Sequence, residues 1–451
     1  MNKDKLIYLL KINFTLYCMD IDAIYMFQTY KYIYKKYYPL YILKHIYSPI
    51  RNIIPTLKKI KVFNPSELRD VYINCIHINE LYCKFMYNYD SFDFHYLPER
   101  LLRLEFPYVF NHPLLYLPPN LTYLKFGGRF NQNIDNVLPN TLSELYLGGD
   151  FNKPIDHLPS NLLRLELDED FNQPVDHLPS SLTYLVVGSN FNQPINNLPS
   201  TLQYLSLGCD FNHAVDFLPP ALTTLHTGIC FNQPIEYLPS GLTTLTLGSD
   251  FNHSIEHLPG TLINLNIKAA YFNKPIDNIL PKNLKQLTLG KEFNQSVDYL
   301  PEHLEYLEFG VKFNQPVDHL PQKLKFLQFG ISFNQPVDHL PSSLSVLFLG
   351  SCFNQPVLHL PQQLKIVHFG NDFNQSIDLL PDTIHSLHLH YSFNSTINKL
   401  PSNLKDFIVP KSFKQNLNHL LPNGCIFYCT ENGARTAREN DLNKLLNYLN
   451  Y

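Results

Sequence analysis

Charged residues are scarce in this 451-residue sequence, and neither sign dominates. Asp, Glu, Lys and Arg together make up 16% of the chain, and the formal net charge is −4. A protein that neutralises nucleic-acid phosphates needs a local excess of Lys and Arg, so this balance argues against a nucleic-acid partner. Apolar residues make up 45% of the chain, which is ample for a large core.

Long apolar runs are missing as well. The N-terminal patch Leu6–Leu10 stops at Lys11, whereas a membrane-spanning helix needs about 20 apolar residues. No small-residue cleavage site follows the patch, so it lacks the features of a secretory signal. The sequence therefore predicts an intracellular, cytoplasmic protein without a membrane partner.

The eight cysteines do not have the paired spacing of a metal site. Cys425 and Cys429 are the closest pair, and the residues between them, Ile426–Tyr428, are predicted as strand. We therefore expect free thiols in a reducing compartment. A glycine-rich phosphate loop, a Ser–His–Asp order and an isolated carboxylate pair are also missing from the sequence. The sequence predicts no enzyme, with no catalytic residue, no metal and no cofactor.

The sequence does contain a repeat, FNQPVDHLP, which returns with variations about every 20 residues. Leu-Pro pairs mark sixteen units, and they are spaced by 20 residues except for one interval of 21 and one of 22. The longer interval predicts a bulge or kink around Ala269–Tyr271. A fixed period of this length is typical of one small unit stacked many times, which directs attention to a long surface rather than a central pocket. The pairs start at Leu97, Leu117, Leu138, Leu158, Leu178, Leu198, Leu218, Leu238, Leu258, Leu280, Leu300, Leu320, Leu340, Leu360, Leu380 and Leu400.

Each unit has the pattern of a short strand followed by a turn. Leu185 and Val187 lie two residues apart and therefore on one face of a strand, which Gly188 ends. Phe191 and Ile195 supply a second apolar layer. A proline in nearly every unit, with many Asn, Gln, Ser and Gly residues, excludes a helix inside the repeat. The predicted fold is a β-rich, leucine-rich-repeat-like solenoid of parallel strands in coils of about 20 residues.

The chain divides into four parts at the sequence level. We predict a small helical domain at 1–50, degenerate repeats or an N-terminal cap at 51–96, regular repeats at 97–420, and a C-terminal cap at 421–451. Atypical terminal units are expected because they close the ends of a repeat array. A capping helix over 435–449 is predicted by the helical spacing of Leu442, Leu445, Leu446 and Leu449.

The repeated segment Phe191-Asn192-Gln193-Pro194 and its copies resemble the core of FNIP-repeat proteins, relatives of the leucine-rich repeats, over about residues 97–420. The resemblance implies a protein-binding solenoid. It also implies a setting in social amoebae or in the large DNA viruses that infect them, with host cytoplasm as the location if the protein is viral. Such proteins often carry an N-terminal F-box, a helical motif that docks substrate receptors onto a cullin–RING ubiquitin ligase.

Residues 19–33 are similar to the middle of an F-box, with an acidic turn before an apolar helix. The opening Leu-Pro of the motif is missing, and so is its Trp, since the chain contains none. On this resemblance, the residues that would dock the ligase adaptor are Ile21, Ile24, Tyr25 and Phe27. A helical cap over the first strand edge is the alternative. The function that follows is a substrate receptor for a cullin–RING ligase, or a binding scaffold or decoy without a ligase link.

Histidines and aspartates recur just before many Leu-Pro pairs, in patterns such as Asp338-His339. Stacked coils bring equivalent residues about 4.8 Å apart, so a His could approach the Asp of a neighbouring coil. The same positions also hold Asn197, Phe217, Tyr237 and Asn278, which a metal or acid–base site would not tolerate. The pattern therefore favours a structural ladder. The Asn after each Phe is likewise expected to satisfy backbone groups of the turns.

The outward positions of the strands vary along the chain, and we expect them to form a concave binding face on a monomer. Along the chain they change from a zone rich in Tyr and charged residues, through a zone without large apolar or charged residues (the bland zone), to a zone of apolar and aromatic residues. Clustered exposed aromatic residues are typical of partner sites. The alternative is that another part of the chain covers the apolar end. The candidate partner-binding residues are Tyr123, Tyr146, Tyr184, Tyr204, Phe326, Val346, Phe348, Ile366 and His368.

Overall fold

A computed structural model describes residues 59–62, 78–83 and 94–430 of the chain. These residues belong to two compact units, 1–191 and 192–451. Helical structure in this part of the chain consists of a single 3-10 turn at Phe94–Tyr96, and no helix there could cross a membrane. The predicted N-terminal helical domain and the helix over 435–449 lie outside the described residues. The four F-box-like residues, Ile21, Ile24, Tyr25 and Phe27, lie outside them as well.

The first unit contains parallel strands, each paired with the next along the chain. The core leucines pair in register, as Leu145 does with Leu165. Two of the strands fall in the segment 51–96 that we predicted to hold degenerate repeats. The strands are β1 (Lys59–Val62), β2 (Glu80–Cys83), β3 (Arg103–Glu105), β4 (Tyr123–Lys125), β5 (Glu144–Leu147), β6 (Arg164–Leu167) and β7 (Tyr184–Val186).

The second unit continues the same pattern of parallel, in-register strands. The last strand contains Ile426–Tyr428, so the strand predicted between the two closest cysteines is confirmed. The strands are β8 (Tyr204–Ser206), β9 (Thr224–His226), β10 (Thr244–Leu247), β11 (Asn264–Ile267), β12 (Gln286–Leu289), β13 (Tyr306–Glu308), β14 (Phe326–Gln328), β15 (Val346–Phe348), β16 (Ile366–His368), β17 (Ser386–His388), β18 (Asp406–Pro410) and β19 (Ile426–Thr430).

The coil around β7 shows why the repeat folds this way. The Pro179 carbonyl accepts a hydrogen bond from the Leu182 nitrogen, and this turn leads into the strand. Leu185 and Val187 are buried, as the period of two predicts. The Phe191 nitrogen then bonds to the Gly188 carbonyl, which closes the turn after the strand. The predicted solenoid of parallel strands is therefore confirmed for the described repeats.

The repeated phenylalanines form the second layer of the core. Phe171 and Phe191 in the first unit have ring centroids 6.2 Å apart and nearly parallel planes, and Phe333 and Phe353 in the second lie 6.1 Å apart. All four rings are fully buried. Because each ring packs on the ring of the next coil, no coil completes its core alone.

A second column joins the coils through the asparagine that follows each phenylalanine. The side-chain oxygen of Asn314 accepts a hydrogen bond from the backbone nitrogen of Asn334, 2.9 Å away, and also one from the Gln335 side chain at 3.2 Å. The same contact recurs at Asn131 and Asn152 in the first unit, over 3.1 Å. The prediction that these asparagines satisfy backbone groups is correct, but the groups belong to the neighbouring coil.

The inserted residues lie in turns, so one extra residue is found at Ala269–Tyr271 as predicted, but it does not form a bulge in the strand pairing. Strands β11 and β12 keep an unbroken register, since the extra residue at Ala269–Tyr271 falls after β11. A second extra residue is accommodated at Asn278, whose φ of 64° lies in the left-handed region that Asn adopts readily. Asn136, in the interval of 21 residues, has a φ of 58° for the same reason.

Candidate interaction face

The side of each sheet that faces away from the phenylalanine layer is called the open face here. It carries the first and third residues of each strand, because side chains alternate along a strand. In β5, for example, Leu145 and Leu147 are buried, whereas Glu144 and Tyr146 are half-buried. The candidate binding residues chosen from the sequence all lie on this face.

In the first unit, an arginine lies between aromatic rings on the open face. The guanidinium carbon of Arg103 is 3.4 Å from the centre of the Tyr123 ring and 5.7 Å from that of the Tyr82 ring. A guanidinium over an aromatic face is attracted by the ring quadrupole. Arg103 also donates to the Glu105 carboxylate at 2.8 Å, so its head is held on two sides.

The same arrangement recurs three strands further on. The Arg164 guanidinium carbon lies 3.6 Å from the centre of the Tyr184 ring and 5.7 Å from that of the Tyr146 ring. Arg164 donates two hydrogen bonds to Glu166, and the Tyr146 hydroxyl donates to Glu144 over 2.9 Å. About a third of the Arg164 side chain is exposed. These side chains are therefore ordered before any partner arrives, yet remain within reach of one.

Burial and nearby carboxylates raise the pKa of two tyrosines of this network, Tyr123 and Tyr146. Burial, the hydrogen bond to Glu144 and the charge of Glu144 raise the pKa of Tyr146 to about 12. Burial and the charge of Glu105 raise the pKa of Tyr123 further still. Both hydroxyls consequently keep their protons at physiological pH. Tyr123 itself is buried, so the accessible tyrosines of this unit's candidate set are Tyr146 and Tyr184.

The first strands of the second unit carry Tyr204, Ser206, Thr224 and His226 on the open face. Tyr204, the first candidate here, is half-buried, and its ring lies 5.5 Å from that of His226. Burial and the charge of Lys268 lower the pKa of His226. The strands that follow present Thr244, Thr246, Asn264, Asn266, Gln286 and Thr288, which agrees with the bland zone expected from the sequence.

Further along the second unit, the open face holds a small apolar core of its own. Phe326, Val346 and Phe348 are buried and pack together, with Tyr306 and Ile366 against them. The rings of Tyr306 and Phe326 stack 4.3 Å apart. Strands in register place large side chains side by side, so they cover one another.

This packing corrects an expectation from the sequence. Phe326, Val346, Phe348 and His368 are buried rather than exposed, each with at most 6% of its surface accessible. Ile366 is half-buried. Their assignment as partner-binding residues stays a prediction, but the exposure on which it depended is not found.

Histidines extend this small core towards the end of the chain. His368 meets the Phe348 ring edge-on at 4.3 Å and stacks on His388 at 3.7 Å. The Ser386 hydroxyl lies 3.3 Å from His388 Nε2. Burial, reinforced by the charge of His390, lowers the pKa of His388 to about 3, so this imidazole is neutral at pH 7.

Sequence reasoning missed several members of the open face. Arg103 and Tyr82 lie before Tyr123, the first of the predicted partner-binding residues. Tyr306 lies on β13, a strand from which no binding residue was predicted. The strand register could have identified these residues, because it pairs Arg103 with Tyr123 and Tyr306 with Phe326, both of which were predicted to bind a partner. Aligning every strand on its central leucine would have found all three.

The opposite, turn side of each coil carries the predicted histidine–aspartate ladder. In the second unit His319 Nδ1 lies 3.2 Å from Asp298 Oδ1, and His339 Nδ1 lies 3.1 Å from Asp318 Oδ1. The first unit has a similar pair, His157 and Asp135, at 3.6 Å. The histidine side chains of these pairs are largely exposed, and the aspartates are partly exposed. Over the described ranges, no group of three or more His, Cys, Asp or Glu side chains is arranged to hold a metal ion.

Comparison with solved structures agrees with this architecture. CroV588, a circular leucine-rich-repeat protein of a giant virus, is 32% identical to this chain with a TM-score of 0.70, and the match covers 84% of this chain and 67% of CroV588. YopM from Yersinia enterocolitica is 21% identical with a TM-score of 0.52, and the match covers 79% of this chain and 83% of YopM. The second likeness concerns the fold alone.

No curated protein matches the chain in sequence. The FNIP Repeat family, however, matches six segments, which together include more than half of the 451 residues. The segments are 110–150, 171–210, 231–268, 272–312, 313–352 and 353–392. With its phenylalanine and asparagine columns in the positions that the repeat defines, the chain belongs to the FNIP-repeat family.

Proposed function

We propose that the chain is a non-catalytic protein-binding solenoid that captures a protein partner on the open face of its first unit. The supporting observation is the network of Tyr146, Arg164 and Tyr184, which is partly accessible and already ordered by cation–π contacts and ion pairs. Tyr and Arg are the residue types that most often dominate binding energy in protein interfaces. Ordering them in advance lowers the entropy lost on binding.

Tyr204, on the open face of the second unit, is proposed as a further contact because it is a half-buried tyrosine among small polar residues. The buried Phe326, Val346, Phe348 and His368 are given a different role. They hold neighbouring strands together, and a partner would contact them after a rearrangement of the face.

The test is affinity capture with the full chain, followed by quantitative mass spectrometry. A double variant, Tyr146→Ala with Tyr184→Ala, is compared with wild type and with Leu379→Ala, an exposed residue on the turn side. Loss of the same captured protein from the tyrosine variant alone supports the proposal. Equal capture by all three proteins would place the binding surface elsewhere.

A finer role is proposed for the N-terminal segment, namely docking onto the adaptor of a cullin–RING ubiquitin ligase in the cytoplasm. Its support is the F-box-like pattern of residues 19–33, together with the membership in the FNIP-repeat family. The chain would then present captured proteins for ubiquitination in an amoebal host. The rival is a scaffold or decoy without a ligase link.

Binding of the purified adaptor to the full chain separates the two roles. Ile24→Asp with Tyr25→Asp should abolish adaptor binding and leave open-face capture unchanged. If wild type fails to bind the adaptor, the ligase role is wrong and the scaffold remains.

A further inference from the structure

The histidine–aspartate ladder of the second unit is interrupted in two consecutive coils, at Phe217 and Tyr237. In the later coils, the histidine of one coil faces the carboxylate of the coil before it, as His339 faces Asp318 at 3.1 Å. In the earlier coils, the histidine position is taken by Phe217 and Tyr237, which cannot neutralise a carboxylate. Their rings are 70% and 67% exposed.

Three carboxylates along this stretch are not paired in the ladder, although His257 occupies the ladder position that follows Glu236 by one coil. Asp216, Glu236 and Glu256 are exposed, and within the described residues none of them lies in an ion pair. Coil stacking places them in one row, and the spacing on this side is wider than that of the strands, since the phenylalanine rings of the same coils are 6.2–6.3 Å apart. The aromatic rings stand in the adjacent row, so three carboxylates and two ring faces border the same strip of surface.

The strip ends in an open cavity of about 330 Å³ at the coil with the inserted residues. Glu256 and Asp277 line this cavity, together with His253 and Lys274. The row of acidic residues therefore continues into a recess, where Lys274 offsets one negative charge. From Asp216 to Asp277 the row spans three coil steps, or roughly 19 Å at the spacing of the phenylalanine rings, which five to six extended residues would cover.

We propose that this strip, from Asp216 to Asp277 on the turn side, binds an extended arginine-rich segment of another protein. Guanidinium groups stack on exposed aromatic rings and also form paired hydrogen bonds with carboxylates, so one residue type satisfies both rows. The Arg103 and Arg164 sites show the same combination of ring and carboxylate within this chain. The strip lies on the opposite side of the coil from the open face, so it is a second and separate surface.

The experiment measures peptide binding to the full-length chain by fluorescence anisotropy. The probe is a peptide of about nine residues with Arg at alternate positions and an uncharged dye, a length that exceeds the strip. Its control replaces each Arg by citrulline, which keeps the shape and removes the charge. We expect the Arg peptide to bind about tenfold more tightly, and added salt to reduce the difference.

Two variants of the strip and one matched control locate the site. Phe217→Asn with Tyr237→Asn uses the residue that other coils hold at this position, and should weaken binding about fivefold. Asp216→Asn, Glu236→Gln and Glu256→Gln together should remove the preference for Arg over citrulline. Asp318→Asn removes a carboxylate that is already paired with His339 and should change nothing.

Three outcomes would overturn the proposal. They are equal binding of the Arg and citrulline peptides to wild type, unchanged binding in the ring variant, and equal weakening by Asp318→Asn. Thermal unfolding of every variant is measured alongside. Because the substituted side chains are exposed, their unfolding midpoints should match that of wild type.

Discussion

The side-chain oxygen of Asn334 accepts a 2.9 Å hydrogen bond from the backbone nitrogen of Asn354, one coil further along the chain. The same oxygen lies 3.2 Å from the Gln355 side-chain nitrogen. Asn334 in turn donates its own backbone N–H to Asn314. One side chain thus satisfies groups of the next coil while its own backbone is satisfied by the previous one, and this reciprocity explains why the repeat retains Asn there.

Replacing Asn334 by Ala should therefore lower the free energy of unfolding by about 1–3 kcal/mol. The change leaves the Asn354 backbone N–H without its acceptor, and an unsatisfied donor costs roughly that amount. Urea titration followed by circular dichroism measures it. Asn334→Asp is the matched control, because a carboxylate keeps the acceptor. At neutral pH it should retain most of the stability, and an equal loss in both variants would show that the hydrogen bond is not the cause.

A glycine column sets how closely the coils approach one another. A Cβ built on Gly330 would lie 1.8 Å from the Gly310 carbonyl oxygen, which is backbone and cannot move aside. We expect Gly330→Ala to cost at least about 1–3 kcal/mol of unfolding free energy through overpacking. Gly260 has no atom within 4 Å of such a Cβ. Gly260→Ala should leave stability unchanged or raise it by about 0.4–1 kcal/mol. Equal effects at the two sites would contradict this account.

The sequence was sufficient to predict the solenoid because its signal repeats many times. The spacing of Leu185 and Val187 predicted the buried face of the strand, and Phe191 predicted the second core layer. The period of two within the strand and the length of the repeat were enough to predict the fold. The interval of 22 residues showed that two residues are inserted, but both were placed near Ala269–Tyr271, because the spacing of Leu-Pro pairs counts inserted residues without locating them; one of them is accommodated at Asn278 in a left-handed backbone conformation.

The open face was harder to predict. The alternation of side chains along a strand determines which side of the sheet a residue faces, but not whether its side chain is accessible to solvent. Phe348 points away from the main core, as predicted, yet only 4% of its surface is exposed. Its burial depends on the size of the residues beside it in the register, above all Phe326 and His368. At Tyr184 the neighbour Arg164 covers the ring face, and the side chain remains partly accessible. The burial of a residue on the open face therefore depends on the side chains of its own coil and of the two neighbouring coils.

The burial of Phe348 leads to a stability prediction. Phe348→Ala should lower the free energy of unfolding by about 3 kcal/mol or more, because it removes a ring packed against Phe326 and His368. Phe217→Ala, at a ring that is 70% exposed, should change it by less than about 0.5 kcal/mol. Chemical denaturation of both variants provides the comparison. A small effect at Phe348 would mean that the ring is accessible in solution, which would restore it as a contact for a partner.

The buried histidines of the second unit predict a dependence of stability on pH. His388 stacks on His368 from β16, lies beside the Ser386 hydroxyl and is affected by the charge of His390. From β18, Asp406 and Ile408 pair with the two polar residues of β17, Ser386 and His388. Burial and His390 lower the folded-state pKa of His388 to about 3 from an ordinary value of 6.5.

Because the unfolded chain binds this proton more readily than the folded chain does, the contribution of His388 is complete above pH 6.5 and is lost progressively as the pH falls towards 3. The slope from this one group is at most about 1.4 kcal/mol per pH unit. Urea titrations at pH 7.5, 6, 5 and 4 should therefore show a stability decrease that is smaller in His388→Phe, a variant that keeps a ring for stacking, as Phe348 does in its own coil. An identical pH dependence in the variant and wild type would assign the decrease to other groups, and the neutral buried state of His388 would then be wrong.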